Sequence, residues 1–322
     1  MNKYKLKCLV TGSLGFIFSN FIRKALYEKY PYNFITLDKA VLSSSLNNMY
    51  FNKALSSNYI ADITDHHIID RIFEIEKPDI VIHGAAETFV DYSLSDPNKF
   101  INTNVLGTQN LINSSLKYGV KKFIYISTDE VYGHLSKESD ESWTEESPIN
   151  PRNPYSASKA AGELLVIAAN KSHGLIYNIT RSSNNYGPRQ TPEKLIPKVI
   201  KCIINKQPIP IYGQGMQIRD WTHVYDNCAG ILTVLDNGSP NEIYNISANQ
   251  EFTNIEVVHN ICEAMGEGHE LIKFVEDRPG HDFRYSINSN KIKSLGWKPQ
   301  HKFKDAIHDV CDWYRSNQWF LR

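Results

Sequence analysis

Three groups of residues in this chain have types and spacings that can do chemistry. Tyr155 and Lys159 stand four apart in PYSASKAAGELL, a stretch with helical patterning. Residues at that spacing share a helix face, so the phenol and the ammonium lie side by side. A neighbouring positive charge favours the phenolate and lowers the pKa of the tyrosine. Such a tyrosine can take the proton of a hydroxyl as hydride leaves the same carbon. On spacing alone a surface pair is the better reading of the two residues. Their place, two strand-helix units after a glycine loop, favours the chemical reading. The second group is Thr128-Asp129-Glu130-Val131-Tyr132-Gly133, directly after the apolar run KFIYI. Two adjacent carboxylates at a strand end are costly unless solvated or used. Elimination of water needs an acid and a base, and this pair can supply both; an acidic turn is the plainer alternative. The third group is Thr11-Gly12-Ser13-Leu14-Gly15-Phe16-Ile17, with Asp38 beyond it. Glycines let backbone amides approach a pyrophosphate, and a helix N-terminus favours the anion. A carboxylate at Asp38 can accept hydrogen bonds from a ribose diol and would repel a 2′-phosphate, so NAD is expected over NADP.

These groups need elements to hold them. Apolar runs at Lys7–Thr11, Phe34–Leu37, Ile80–His83, Lys122–Ile126 and Tyr177–Thr180 read as strands, with a shorter one around Tyr59 and Ile60. Helical spacing marks Phe16–Tyr30, His66–Ile75, Pro97–Lys117 and Tyr155–Lys171, and the polar stretch 39–57 reads as a long loop. Continuously apolar strands alternating with helices predict an α/β, doubly wound parallel sheet covered on both faces. Ligands then sit at the carboxyl ends of the strands. Gly12, Asp38, Asp62, Ala85 and Thr128 each follow a strand. After about residue 182 short segments with Pro and Gly become denser, as in KQPIPIYGQG and EDRPGHD. The expected division is 1–182 for the nucleotide-binding sheet, with part of 222–247 returning to it, and 183–322 for a smaller mixed substrate-binding domain.

Lys+Arg and Asp+Glu both number 35, which argues against a broad nucleic-acid or anionic-membrane surface. The five cysteines form no C-x-x-C pair, so reduced, mostly buried thiols and no metal are expected. The N-terminal MNKYKLKCLVTG lacks an apolar signal region, and no apolar run approaches the roughly 20 residues needed to span a bilayer. A cytoplasmic protein is expected.

With these motifs in hand, the sequence resembles the dTDP-glucose 4,6-dehydratases of the extended short-chain dehydrogenase/reductase superfamily. The resemblance runs from Thr11 to the region of Trp313. TDEVYG at 128–133 is its most specific motif. PYSASKAA at 154–161, AAETFVDYS at 85–93, SNNYGPRQTPEKLIP at 183–197, PIYGQGMQIRDW at 210–221 and DRPGHDFRY at 277–285 join it. The resemblance implies a Rossmann sheet and bound NAD. It implies Tyr155 as the base that starts C4 oxidation, with Lys159 holding the nicotinamide ribose. It gives Asp129 the proton to the leaving 6-hydroxyl and Glu130 the C5 proton. Thr128 and Thr88 then hold the sugar. Asp62, Ile63, Ala85, Ala86, Thr103 and Asn185 approach NAD together with the loop Gly12–Ile17. Asn184, Lys194, Leu195, Pro210, Tyr212, Arg219, Asn245, Arg278, His281 and Tyr285 surround the sugar nucleotide. Guanidinium forks at Arg219 and Arg278 suit a diphosphate. A homodimer packed through helices at 97–117 and 155–171 is also implied.

Two departures stand out. Phe18 occupies the place of a third loop glycine, which serves helix-strand packing, so a local shift with retained NAD binding is expected. Phe89 and Tyr92 stand where the family has a histidine and an arginine. The expected reaction converts dTDP-glucose or UDP-glucose to the 4-keto-6-deoxy sugar nucleotide. A 4-epimerase or decarboxylase of the superfamily is the nearer alternative, and a non-catalytic NAD-binding regulator the more distant one.

Overall fold

The computed structural model describes residues 5–40, 48, 55–137, 139–277 and 281–321. The first strands of the chain are β1 (Leu6–Thr11), β2 (Tyr32–Asp38), β3 (Leu55–Ile60), β4 (Ile80–His83), β5 (Lys122–Thr128) and β6 (Tyr177–Ser182). Beyond them run β7 (Asn184–Tyr186), β8 (Ile209–Tyr212), β9 (Ile218–His223), β10 (Glu242–Ile246), β11 (Glu251–Thr253) and β12 (Ile272–Val275). Seven of these form one sheet in the order β10-β6-β5-β4-β1-β2-β3, every neighbouring pair parallel.

The strands read as unbroken apolar runs because both faces of the sheet are covered. Cys8, Val10, Phe34, Ile82 and Ile124 face a core shared with helices Phe16–Tyr27 and Val224–Asn237. Leu9, Ile35, Val81, Phe123 and Tyr125 face the opposite core, against helices His66–Glu76, Gly107–Lys117 and Pro154–His173. Strand order reverses where β1 lies between β2 and β4, and a crevice opens there at the carboxyl ends. The remainder of the chain packs a third core around Ile200, Trp221, Val257, Ile261 and Phe303. It carries a three-stranded sheet, β11-β9-β7, and the parallel pair β12-β8.

The structure departs from the sequence expectation in three local ways. The stretch 39–57 lies mostly outside the described residues, but its end belongs to β3, which pairs with β2 and so starts earlier than its polar composition suggests. Helix Phe16–Tyr27 ends three residues before Tyr30. The helix expected over Pro97–Lys117 is α-helical at Pro97–Phe100 and Gly107–Lys117 and π-helical at Ile101–Leu106 between them. Inserted π turns of this kind often sit at functional sites. Here the buried Asn104 leaves the helix pattern to bond the loop after β4, accepting from the Glu87 amide at 2.8 Å and donating to the Glu87 carbonyl at 3.0 Å.

Phe18 is accommodated without a gap. Its ring lies over Gly84, where an added Cβ would stand 2.0 Å from Cε2. The bulk that a third loop glycine would have avoided is therefore absorbed by a glycine on the neighbouring strand end. We predict that Gly84→Ala lowers stability by about 1–3 kcal/mol, the usual range for overpacking. Phe18→Leu in the same chain should recover much of the loss. Urea denaturation of the two single variants and the double variant checks this; a Gly84→Ala protein as stable as its parent refutes it.

Candidate active site

The site starts with a contact between backbones. Gly12 adopts φ +76°, and a Cβ there would lie 2.8 Å from the Ala85 nitrogen. Only glycine fits both the conformation and the approach. This brings the loop after β1 against the loop after β4, with the cleft between them lined by Gly12, Gly15, Phe16, Ile17, Asp38, Ile63, Ala85, Ala86, Thr88 and Thr103. Asp38 is buried; it accepts the Leu14 amide at 2.9 Å and the Ala40 amide at 2.8 Å, which fix its carboxylate at the cleft wall. Ser13 and Leu14 form the turn between the two glycines. Asp62 holds its own turn through Thr64 and lies 3.7 Å from Lys39.

A buried hydrogen-bond chain ties these loops to the catalytic helix. The Thr11 hydroxyl accepts the Gly84 and Ala85 amides, each at 3.2 Å, so its one proton goes to His83 Nδ1 at 2.8 Å. His83 is then neutral and protonated at Nε2, which donates to Thr108 at 2.9 Å; Thr108 passes its proton to the Asn104 carbonyl at 2.7 Å. Burial, then the charge of Lys159, holds His83 far below the ordinary histidine range, in keeping with that tautomer. Asn104 Nδ2 reaches Ser158 at 2.8 Å, and Ser158 donates to the Tyr155 carbonyl at 2.7 Å.

The proton-handling groups gather at the end of β5. Thr128 caps the short turn Asp129–Tyr132: its hydroxyl accepts the Glu130 amide at 3.3 Å and donates to Asp129 Oδ1 at 3.2 Å. The same hydroxyl reaches the Tyr155 phenol. Asp129 is 3% exposed, and its Oδ2 has no hydrogen-bond partner. Burial, reinforced by Glu130 and Asp220 and opposed by Arg219, raises its pKa to about 8. Asp129 is thus a carboxylic acid at neutral pH. Glu130 is half-buried and accepts from Asn153 Nδ2 at 3.2 Å. Asn153 also caps the helix Pro154–His173, its Oδ1 accepting the Ser156 amide at 2.8 Å in a capping box. One asparagine therefore ties Glu130 to the first turn of the helix that carries Tyr155 and Lys159. Lys159 is 4% exposed, and burial lowers its pKa to about 7. The expected depression of the Tyr155 phenol is not found. Burial, then the charge of Glu130, raises it well above the ordinary range, opposed by the Thr128 hydroxyl.

The residues expected around the substrate fall into two groups. Asn184, Asn185 and Lys194 line the cleft with Thr88, and the Lys194 ammonium donates to the Thr88 carbonyl at 3.0 Å. Asn185 Oδ1 is buried without a partner. Leu195 opens the helix Leu195–Ile204 directly after Lys194. Phe89 and Tyr92 pack edge to face, 4.5 Å between centroids, and Lys194 lies 5.3 Å from the Phe89 ring. The second group sits in the smaller lobe. Arg219 bonds the carbonyls of Ile218, Phe283 and Asp282 and lies 4.4 Å over the Tyr285 ring. Tyr285 donates to the Asp282 carboxylate. Pro210 and Tyr212 belong to β8, and Tyr212 stands edge-on to His281, whose ring bonds Asp277 at 2.7 Å. Asn245 is engaged within the protein. It is 0% exposed in β10, and its side chain is committed to the Tyr132 hydroxyl at 2.8 Å and the Trp143 carbonyl at 3.2 Å, behind the Asp129–Tyr132 turn. Arg278 lies outside the described residues.

Lys39, Ser127, Gln190 and Thr191 also line the cleft. Lys39 and Ser127 adjoin motif residues, and Gln190 and Thr191 lie within the motif at 183–197, so all four are open to recognition on that ground. Among the described residues no metal-binding cluster is found, and no helix is long and apolar enough to cross a membrane.

A doubly wound sheet whose strand ends assemble a glycine loop, a terminal aspartate and a Tyr-x-x-x-Lys pair defines a nucleotide-dependent enzyme of the extended short-chain dehydrogenase/reductase class. The GDP-mannose 4,6 dehydratase family model matches residues 9–310. The chain is 42% identical over 308 residues to the low-salt glycan biosynthesis protein Agl12 of Haloferax volcanii, covering 95% of this chain and 97% of that one. It is 40% identical over 320 residues to the dTDP-glucose 4,6-dehydratase of Streptomyces niveus, covering 97% and 94%. The crystal structure of the dTDP-glucose 4,6-dehydratase DesIV from Streptomyces venezuelae, with NAD and TYD bound, superimposes with a TM-score of 0.94 at 38% identity, covering 98% of this chain and 99% of that one. The chain belongs to the dTDP-glucose 4,6-dehydratase family.

The raised pKa of Asp129 gives a direct prediction. Its protonated carboxyl should show an infrared carbonyl band that persists through neutral pH and is lost as pH rises through about 8. Asp129→Asn should abolish that band. A carboxyl already ionised at pH 6 contradicts the electrostatics described above.

Proposed function

We propose that this chain converts dTDP-glucose to the 4-keto-6-deoxyglucose nucleotide and water, with NAD as cofactor and Tyr155, Glu130 and Asp129 handling the protons. The observation that carries the reading is a buried Asp129, its Oδ2 without a partner and its pKa raised by burial, beside Glu130 in the same cleft as Tyr155. An epimerase needs no acid for a departing hydroxyl; a dehydratase does.

The cleft suits NAD. Gly12 lets the loops after β1 and β4 close on each other, the amides of the Gly12–Ile17 turn lead into a helix N-terminus, and Asp38 stands where a ribose diol would be held. Ser127 Oγ and Asn185 Oδ1 are buried polar atoms at its wall without partners. Thr103, Ala85, Ala86, Ile63 and Lys159 complete the enclosure. When bound, NAD supplies a hydride acceptor for C4, a hydride donor for C6 and a positive ring charge near the phenol. Tyr155 must act as the phenolate, which burial disfavours and which the cofactor's positive charge and the Thr128 hydroxyl would favour; as such it takes the proton of the 4-hydroxyl while C4 becomes a ketone. The ketone acidifies the C5 hydrogen, and Glu130, held by Asn153, removes it. Asp129 gives its proton to O6, the C6–O6 bond breaks and water leaves; as C6 takes back the hydride, Glu130 returns to C5 the proton it removed. The lobe that carries Asn184, Lys194 and Arg219 binds the sugar nucleotide.

The homodimer belongs to the same proposal. Ile101, Leu106 and Leu164 are large apolar side chains 47%, 49% and 54% exposed on the helical segments 97–117 and 154–173. A second copy packed on that face would cover them.

Incubation with dTDP-glucose should give the alkali-dependent absorbance of a 4-keto sugar, with a higher kcat/KM than UDP-glucose. No chromophore from either nucleotide defeats the proposal. Tyr155→Phe should form neither NADH nor product. Glu130→Gln should still form enzyme-bound NADH but should not exchange the C5 hydrogen with D2O. Asp129→Asn should retain some C5 exchange while water loss slows, each loss being of order 10²-fold or more. Normal turnover by Glu130→Gln together with loss of C5 exchange in Asp129→Asn would reverse the two roles.

Sedimentation should give twice the chain mass, and Leu164→Glu should give the single-chain mass. A wild-type protein that sediments as one chain contradicts the dimer.

A further inference from the structure

We infer that Tyr125 is the positioning residue for Lys159, its ring face supporting a buried ammonium that no carboxylate contacts directly. The inference rests on the placement of Lys159 in the proton-handling site proposed above.

The Lys159 ammonium stands 4.3 Å from the centroid of the Tyr125 ring. Among the described residues no carboxylate lies within salt-bridge distance of it. Each group packed around it is otherwise committed. Glu163, one turn along the same helix, favours the ammonium through its charge but makes its contacts with Arg181, at 3.1 Å and 2.6 Å. His83, on β4, is locked as a neutral tautomer by Thr11 and Thr108 and sits edge-on to Tyr125, 5.5 Å between centroids. Tyr155, on the same helix face, is a neutral phenol by its raised pKa. A buried charge without a partner is costly, and a desolvated ammonium over an aromatic face is one of the few neutral arrangements that offsets the loss of water.

The backbone is shaped to hold the ring there. The Tyr125 hydroxyl donates to the Lys159 carbonyl at 3.2 Å, so one residue touches both ends of the lysine. The hydroxyl enters a notch at Gly162, in the middle of helix Pro154–His173, where an added Cβ would lie 2.1 Å from it. Glycine is a poor helix-interior residue, and the seat of Tyr125 gives this one a reason. Burial lowers the Lys159 pKa to about 7, so a modest change in the ring's attraction decides its charge near neutral pH.

The test keeps the ring's shape and changes only its face. Tyr125 is replaced by phenylalanine and then by mono-, di- and trifluorophenylalanine, which progressively weaken the negative potential of the face. Each protein is treated with pyridoxal 5′-phosphate and borohydride across a pH series, and the modified Lys159 peptide is quantified by mass spectrometry. Only the neutral amine reacts, so the midpoint of labelling reports the ammonium. The phenylalanine protein should stay close to its parent. Fluorination should lower the midpoint stepwise by about one pH unit in total, a tenfold loss of ammonium at fixed pH. A flat midpoint across the series overturns the inference, as does a phenylalanine protein already as low as the trifluoro one. The readout needs no turnover: a chain that shows the slope but no dehydration keeps Tyr125 in its role and removes the functional proposal instead.

Discussion

Desolvation governs this site. Asp129, Tyr155 and Lys159 are all taken out of water within one cleft, and burial disfavours the charged form of each. The surroundings answer that constraint residue by residue. Asp129 keeps its proton, His83 is held neutral by its tautomer, and Glu163 and Arg181 neutralise each other nearby. Glu130, its neighbour on the same short turn, is half-buried where Asp129 is buried, so the two carboxyl groups differ in exposure.

The fold delivers this arrangement from several strand ends at once. The β1 and β4 loops meet at Gly12 and Ala85, the β5 end supplies Thr128 and Asp129, and β7 supplies Asn184 and Asn185. The chain of bonds from Thr11 through His83, Thr108 and Asn104 to Ser158 makes the nucleotide loop and the Tyr155 helix parts of one polar network. Its members are satisfied along the chain, the condition under which a buried network rigidifies a site. The π turn at Ile101–Leu106 contributes Asn104 to that network and Thr103 to the cleft.

Much of this was legible in the sequence because it depends on local signals. An apolar run ending in glycine or aspartate marks a strand delivering its last residue to the crevice, and Gly12, Asp38 and Thr128 are placed that way. The Tyr155 helix announces itself through spacing. What the sequence hides is set by distant neighbours. Nothing in NEIYNIS says that Asn245 turns toward Tyr132 and Trp143. Nothing in KFIYIST distinguishes Tyr125 from a packing residue, since its meaning comes from Lys159 and Gly162 across the sheet. The sign of the Tyr155 shift was misread for the same reason: spacing reveals the lysine, but only the fold reveals how little water remains. The π turn escapes detection because helical periodicity over Pro97–Lys117 barely changes with one wide turn.

The position of β10 has a consequence for biosynthesis. Strand β6 is complete at Ser182, yet its outer edge is covered only when Glu242–Ile246 arrives, and the face bearing Val10 and Ile124 gains the second of its two covering helices only with Val224–Asn237. A ribosome adds about 5–20 residues per second, so the emerging chain spends seconds with the groups of its cleft already made but its sheet unfinished. Throughout that interval the exposed strand edge is a template for unwanted pairing. Successful folding of this protein in a crowded cell therefore depends on shielding a nascent intermediate as much as on the final stability of the finished chain.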